Sequence, residues 1–137
     1  MTLDHIAIAV RSLEEALPFY TDVLGLTCTG REMVAEQGVR LAMLPIGEGR
    51  LELLEPLHED SPVGRFLARR GEGLHHICLR VTDLEATLAH LRAHGVRLID
   101  EEPRCGAEGR KIAFLHPASA HGVLIELVEV PKEEHRT

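Results

Sequence analysis

The first hydrophobic pattern of the chain predicts a β-strand that leads into a helix. Apolar residues alternate along residues 3–10, which is typical of a strand with one buried face. Ser12 follows as a suitable helix N-cap, and Gly25 supplies a C-cap for a helix over residues 13–24. Pro18 is expected to remove one hydrogen bond from this helix and to bend it.

The same pattern begins again at Leu74, which makes the chain an internal repeat. Residues 74–81 match the first strand at their Leu, His, Ile and Val positions, and Asp83 opens a second helix that ends near Gly95. In each half, short β-rich runs follow the helix and close with residues 50–56 and 123–129. Each half is therefore predicted to form a strand, a helix and three further strands.

This repeat predicts an α+β fold made of paired βαβββ modules. The first module takes residues 1–57, a linker helix 58–72, the second module 73–131 and a C-terminal tail 132–137. A four-stranded half-sheet cannot bury both of its faces alone. We therefore expect the modules to pair within one structural domain, as a cupped, partly closed mixed β-barrel with flanking helices and a ligand in the cup.

Composition and charge narrow the class of protein. The chain has 137 residues, 45% hydrophobic and 27% charged, which is typical of a globular domain. A net charge of −7 disfavours nucleic-acid binding, and no apolar run is long enough for a membrane span. The start of the chain does not resemble a signal peptide, and three scattered cysteines do not predict a disulfide framework. These features predict a cytoplasmic protein.

Four residues at equivalent places in the two halves could hold a metal ion. Strand alternation places His5 and His76 equivalently, and Glu52 and Glu126 stand in the otherwise apolar closing strands. A carboxylate in such a strand needs a cation or hydrogen bonds to compensate its burial. Either histidine alone would be read as a core residue bonded to the backbone, but the symmetric set favours a divalent-metal site.

Several other polar residues could have either a binding role or a structural role. Arg104, Arg110 and Lys111 stand out in an acidic chain and could bind phosphates, or could be a solvated surface. His116 could line a pocket or serve the turn before Pro117. The closing glutamates Glu55 and Glu129 lie at polar strand ends and are expected to be exposed.

Several segments together resemble a known family, the vicinal oxygen chelate superfamily, and within it the methylmalonyl-CoA epimerase family. The resemblance covers nearly the whole chain and is carried by residues 3–10, 36–39, 51–56, 60–62, 73–77, 114–117 and 122–127. The strand motifs fit any member of the superfamily. The Glu-Gln-Gly, Asp-Ser-Pro and His-Pro segments within these ranges are more specific.

The resemblance implies a homodimer that binds methylmalonyl-CoA and holds a divalent ion, with Co²⁺ favoured and Mn²⁺, Ni²⁺ or Zn²⁺ as alternatives. It assigns the metal ligands to His5, Glu52, His76 and Glu126. Some relatives carry Gln where this chain has Glu52. The extra carboxylate is expected to make the site more negative, so that it binds a dication more strongly but leaves it a weaker Lewis acid.

The implied reaction is the interconversion of (R)- and (S)-methylmalonyl-CoA by proton transfer at the α-carbon. Some members place a catalytic Glu shortly after the Glu-Gln-Gly segment, but that position is Leu41 here. By resemblance to glyoxalase-type members in which metal-side glutamates act as bases, Glu126 and Glu52 are the expected bases, with Glu36 in reserve. The expected substrate-binding residues are Arg104, Arg110, Lys111 and His116.

The sequence is also compatible with two other enzyme activities and with one binding function. A glyoxalase I-like isomerase would use similar metal chemistry, although the Asp-Ser-Pro segment argues against it. An extradiol dioxygenase needs two histidines and one carboxylate on iron, and Glu52 would be a fourth ligand. A metal-free binder of small ligands has no reason to bury two carboxylates.

Overall fold

A computed structural model describes residues 1–131; the predicted tail 132–137, with its His135, lies outside the described residues. Within that range the chain forms eight β-strands and three α-helices. Their bounds are β1 Thr2–Ala9, α1 Leu13–Pro18, β2 Gly30–Val34, β3 Val39–Ile46, β4 Gly49–Pro56, α2 Pro62–Arg70, β5 Gly73–Val81, α3 Leu84–Ala93, β6 Arg104–Cys105, β7 Lys111–Leu115 and β8 Ile125–Glu129.

The chain divides into two compact units, one of which is His5–His75. Its strands lie in the order β2-β3-β4-β1, with β1 parallel to β4 and the other neighbours antiparallel. A buried apolar cluster joins α1 to one face of this sheet through Leu13, Leu17, Ala42, Leu44 and Leu53. The opposite face of β1 and β4 carries the polar residues described below.

The other unit consists of Met1–Asp4 and the chain from His76. Its strands lie in the order β5-β8-β7-β6, with β5 parallel to β8. A second apolar cluster joins α3 to this sheet through Leu84, Leu88, Ala113, Leu115 and Leu127. The predicted order of one strand, one helix and three strands is therefore present in each half, although the exact module boundaries stay a prediction.

The first helix departs from the continuous helix expected over residues 13–24. Its α-helical part ends at Pro18, and Phe19–Val23 continue as a wider π-helical turn. The proline lacks the N–H that would extend the α-helical ladder, so the hydrogen-bond pattern changes at this residue. Gly25 follows in the left-handed conformation, as expected for a helix C-cap.

Glu55 and Glu129 were expected to be exposed, and this expectation is wrong. Each is partly buried and accepts a hydrogen bond from the first backbone N–H of a helix: Leu13 donates to Glu55 at 2.8 Å, and Leu84 donates to Glu129 at 3.0 Å. The first N–H groups of a helix have no partner within the helix. Both closing strands therefore end in a carboxylate that fixes the start of the helix of the same unit.

The linker helix is α2, which occupies Pro62–Arg70 within the segment 58–72 that the sequence predicts for it. The Ser61 hydroxyl accepts from Gly64 N–H at 3.2 Å, Pro62 occupies the first turn, and Gly71 follows the last residue with a φ of 78°. Among the described residues, no helix is long and apolar enough to cross a membrane.

Candidate functional site: two buried histidine–glutamate pairs

The first pair lies on two neighbouring parallel strands, β1 and β4. His5 is opposite Arg50 in the strand register and Glu52 is opposite Ala7, so the two side chains emerge on the same face. His5 is 6% exposed and Glu52 is 3% exposed. The Nδ1 atom of His5 lies 3.3 Å from Oε2 of Glu52. His5 and Glu52 therefore share one buried face of this unit, and their role as metal ligands stays a prediction.

Arg50 is a third residue at this pair, and the sequence pattern alone did not predict its contact with Glu52. It lies two residues before Glu52 on β4, and its Nε and Nη2 atoms lie 2.9 and 2.8 Å from Oε2 of Glu52. The Arg50 side chain is 18% exposed. The period of two along the segment Arg50-Leu-Glu52 is the signal that could have placed the guanidinium on the carboxylate's face.

The second pair lies on the neighbouring parallel strands β5 and β8. The Nε2 atom of His76 is 2.9 Å from Oε1 of Glu126, and the two residues are 6% and 5% exposed. Phe114 on β7 is opposite Glu126 in the register and places its ring edge to face with the His76 imidazole, 5.3 Å between centroids. A buried apolar cluster surrounds this face and contains Cys78, Ile112, Phe114, Val128 and Val130.

The chemistry of these donors fits a divalent transition metal. Each pair offers one imidazole nitrogen and one carboxylate oxygen, and both pairs are buried, where such groups need compensation. Imidazole and carboxylate ligands suit Co²⁺, Mn²⁺, Ni²⁺ and Zn²⁺. Each unit therefore supplies two of the four ligands that the sequence predicts.

Two of the expected substrate-binding residues, Arg104 and Lys111, line a cavity of about 480 Å³. The Arg104 guanidinium lies 5.7 Å from the Phe114 ring centroid, and its Nε is 3.1 Å from Oδ1 of Asp100. Lys111 begins β7 and is exposed. Cys105 and the acidic residues Glu85 and Glu102 also line the cavity. Two basic residues that the sequence predicts to bind substrate therefore line the same cavity.

The other two expected substrate-binding residues have structural partners. Nη1 of Arg110 lies 3.5 Å from Oδ1 of the buried Asp4, which Arg80 also contacts at 2.9 Å. Nδ1 of His116 accepts a hydrogen bond from Ala118 N–H at 3.0 Å and caps a short 3₁₀ turn. The turn role is therefore present for His116, and a contact with substrate stays a prediction for both.

Comparison with known proteins places these features in a family. Residues 4–114 match the family described as the Glyoxalase/Bleomycin resistance protein/Dioxygenase superfamily. The human mitochondrial methylmalonyl-CoA epimerase is 40% identical over 126 residues, which cover 91% of this chain and 72% of the human protein. The ethylmalonyl-CoA/methylmalonyl-CoA epimerase of Cereibacter sphaeroides is 38% identical, with 93% and 97% of the two chains covered.

A solved structure extends the similarity to the whole fold. The Streptomyces coelicolor methylmalonyl-CoA epimerase, solved as a variant in complex with 2-nitronate-propionyl-CoA, superposes with a TM-score of 0.91 at 45% identity. The match covers 96% of each chain. The chain therefore belongs to the glyoxalase superfamily and, within it, to the family that contains the methylmalonyl-CoA epimerases. The fold class predicted from the repeat is confirmed by these matches.

Proposed function

We propose that this protein is a methylmalonyl-CoA epimerase that uses a divalent metal ion. The observation that carries the proposal is the pair of buried histidine–glutamate contacts at repeat-equivalent positions, His5 with Glu52 and His76 with Glu126. Epimerases of this substrate are similar to this chain over nearly its full length. Two observations support the proposal: the site suits metal-assisted proton transfer, and the relatives are named for this reaction.

In this proposal His5, Glu52, His76 and Glu126 hold the metal ion. Co²⁺ is the favoured ion, and Mn²⁺, Ni²⁺ and Zn²⁺ have compatible ligand preferences. When bound, a divalent cation supplies Lewis acidity toward an oxygen of the substrate. The donor set of two imidazoles and two buried carboxylates supports this assignment.

The reaction moves one proton between the two faces of the substrate's α-carbon. The thioester acidifies this C–H bond, so a carboxylate can take the proton while the electron pair is delocalised into the thioester carbonyl. Delivery of a proton to the opposite face, from the second carboxyl group in its protonated form, gives the other epimer. One base cannot easily reach both faces, and we assign the two roles to Glu126 and Glu52.

The environment of Leu41 supports this choice of bases. Leu41 stands where some relatives carry a catalytic glutamate, and here it is 1% exposed on β3, opposite Leu54 of β4. A leucine cannot accept a proton, so another residue must serve. Glu36, the reserve candidate, lies in an exposed 3₁₀ turn before β3, whereas Glu52 and Glu126 are buried beside histidines.

We assign binding of the coenzyme's phosphates to Arg104 and Lys111. Both line one cavity, and cationic side chains are the usual partners of phosphate oxygens. Arg110 and His116 are assigned to the same substrate, and each also has a partner within the protein. We further propose a homodimer in the cytoplasm, which sedimentation of the purified protein and fractionation of its host would test.

Proton NMR of methylmalonyl-CoA in deuterated water tests the proposal. We expect the α-proton signal to disappear with the protein present, to persist after chelation and to disappear again when Co²⁺ is restored. Persistence of the signal with metal demonstrably bound would reject the epimerase and favour a glyoxalase I-like reaction on a hemithioacetal. A protein that binds no metal would favour the metal-free binder.

A further inference from the structure

The two halves of the repeat differ at one position beside the proposed metal ligands. When Glu52 is aligned with Glu126, Arg50 corresponds to Leu124. Arg50 places two guanidinium nitrogens within 2.9 Å of Oε2 of Glu52. Leu124 packs against the apolar cluster that surrounds Glu126. The two carboxylates therefore have different electrostatic surroundings despite their equivalent positions.

The Arg50–Glu52 contact is strong for physical reasons. Glu52 is buried at 3% exposure and the Arg50 side chain is 18% exposed, so water screens the pair less than it screens a surface ion pair. The pair joins residues two apart on one strand, and the strand geometry keeps both side chains on one face. Arginine stays charged at every physiological pH.

We propose that Arg50 acts through Glu52 by balancing its negative charge. Glu52 then offers a metal ion an oxygen ligand without adding net negative charge to the site. This inference rests on the proposed metal site. It revises the expectation that replacing Gln by Glu at this position strengthens dication binding, because that expectation omits the guanidinium. The first half then presents a balanced Arg–Glu unit at the position where some relatives carry a neutral glutamine.

The sign of the Arg50 effect separates this role from a structural one. If the guanidinium balances charge, its removal strengthens attraction between Glu52 and a dication, and affinity rises. If Arg50 only holds Glu52 in place, its removal loosens a ligand and affinity falls. For the same reason, Glu52→Gln should leave the positive charge of Arg50 unbalanced near the cation and weaken the binding of the dication.

Titration of the full-length protein with Co²⁺, monitored by calorimetry with a competing chelator, tests this proposal. We expect Arg50→Gln to bind Co²⁺ about tenfold tighter or more, and Glu52→Gln about tenfold weaker or more. The double variant should return to within about threefold of the unmodified protein, since charge balance is restored. Arg50→Lys keeps the charge and should also stay within about threefold.

Arg40→Gln is the matched control. Arg40 lies on the adjacent strand β3, and its Nη1 is 2.9 Å from Oε2 of Glu55, a carboxylate that caps α1. This substitution removes the same charge from a similar ion pair and should leave Co²⁺ affinity unchanged. Thermal unfolding of each metal-free variant checks that it is folded.

Four results would overturn the inference. Weaker or unchanged Co²⁺ binding by Arg50→Gln contradicts the charge-balancing role, and so does an equal gain in Arg40→Gln. A double variant that binds Co²⁺ as tightly as Arg50→Gln, or as weakly as Glu52→Gln, would contradict charge balance, because the two single effects have opposite signs and should cancel. If the unmodified protein binds no Co²⁺, the metal assignment itself fails, and the inference fails with it; the unmodified protein thus distinguishes the two failures.

Discussion

At the scale of single residues, Glu126 is the group whose chemistry the proposed reaction depends on most directly. It contacts His76 at 2.9 Å and is buried beside Phe114, whereas Glu52 is engaged by Arg50. Burial keeps water away from a carboxylate and strengthens its electrostatic interactions with a substrate. Glu126 is therefore the first position at which to remove the proton acceptor.

We predict that Glu126→Gln abolishes proton exchange at the α-carbon while some substrate binding remains. An amide keeps the shape of the carboxylate but cannot accept the proton, and loss of a general base lowers rates by about 10²- to 10⁴-fold. Deuterium incorporation followed by NMR measures the rate, and calorimetry with methylmalonyl-CoA measures binding.

The control for this variant is Glu129→Gln, three residues further along the same strand. Glu129 accepts from Leu84 N–H, and a glutamine oxygen can accept the same bond. Its exchange rate should therefore stay near that of the unmodified protein. Undiminished exchange in Glu126→Gln would remove Glu126 from the proton path.

At the scale of elements, the carboxylates that end β4 and β8 connect each sheet to its helix. We predict that Glu55→Ala and Glu129→Ala each lower the free energy of unfolding by about 1 kcal/mol, because each leaves the first N–H of α1 or α3 without its acceptor. Urea unfolding followed by circular dichroism measures the change.

The matching glutamine variants separate the hydrogen bond from the charge. Glu55→Gln and Glu129→Gln retain an acceptor oxygen, so they should lose less stability than the alanine variants. Equal losses in both substitutions would show that charge at the helix start matters more than the hydrogen bond. Glu55 also pairs with Arg40, so its glutamine variant should lose slightly more than that of Glu129.

A second element-scale prediction concerns Gly64 in the first turn of α2. A Cβ at this position would collide with the backbone oxygens of His58 and Glu59, which cannot move without shifting the chain. Gly64→Ala should therefore destabilise the protein by about 1–3 kcal/mol, despite the higher helix propensity of alanine. Thermal or urea unfolding gives the measurement.

Gly30→Ala is the matched substitution for Gly64→Ala. Gly30 begins β2, and a Cβ there would meet nothing within 4 Å. It should be neutral or slightly stabilising, because alanine restricts the unfolded chain more than glycine does. A loss of stability in Gly30→Ala as large as that in Gly64→Ala would contradict the steric explanation.

At the scale of the whole molecule, the proposed ligand set draws two residues from each unit. We predict that Co²⁺ raises the thermal unfolding midpoint and slows amide hydrogen exchange in both β1–β4 and β5–β8. A ligand that binds only the folded protein stabilises it by about 2.7 kcal/mol at 100 times its dissociation constant. Hydrogen-exchange mass spectrometry with and without Co²⁺ resolves the two sets of strands.

The control for this measurement is the double variant His5→Ala with His76→Ala, which removes one proposed ligand from each unit. Its exchange pattern should not respond to Co²⁺. Protection that appears in one unit only would contradict a site with ligands from both halves, and protection retained in the double variant would place the cation elsewhere.

The amino-acid sequence was sufficient to predict the repeated strand–helix–strand order and the candidate set of two histidines and two glutamates. These features depend on local periodicity: a period of two alternates the two faces along each strand, and Ser12, Asp83 and Gly25 mark helix ends. The contact of His5 with Glu52 depends on the register of β1 against β4, which are distant in sequence. Local rules suffice wherever neighbours along the chain fix the answer.

The hydrogen-bond and ion-pair partners of the long polar side chains depend on tertiary contacts, which the sequence pattern does not predict. Glu55 and Glu129 turn to helix N-termini that are distant in sequence, and Arg50 closes on Glu52 rather than extending into solvent. A long side chain has many rotamers of similar energy, and its choice depends on which donors the packed strands and helices bring within reach. That choice sets the charge beside the proposed metal ligands, which residue order alone does not specify.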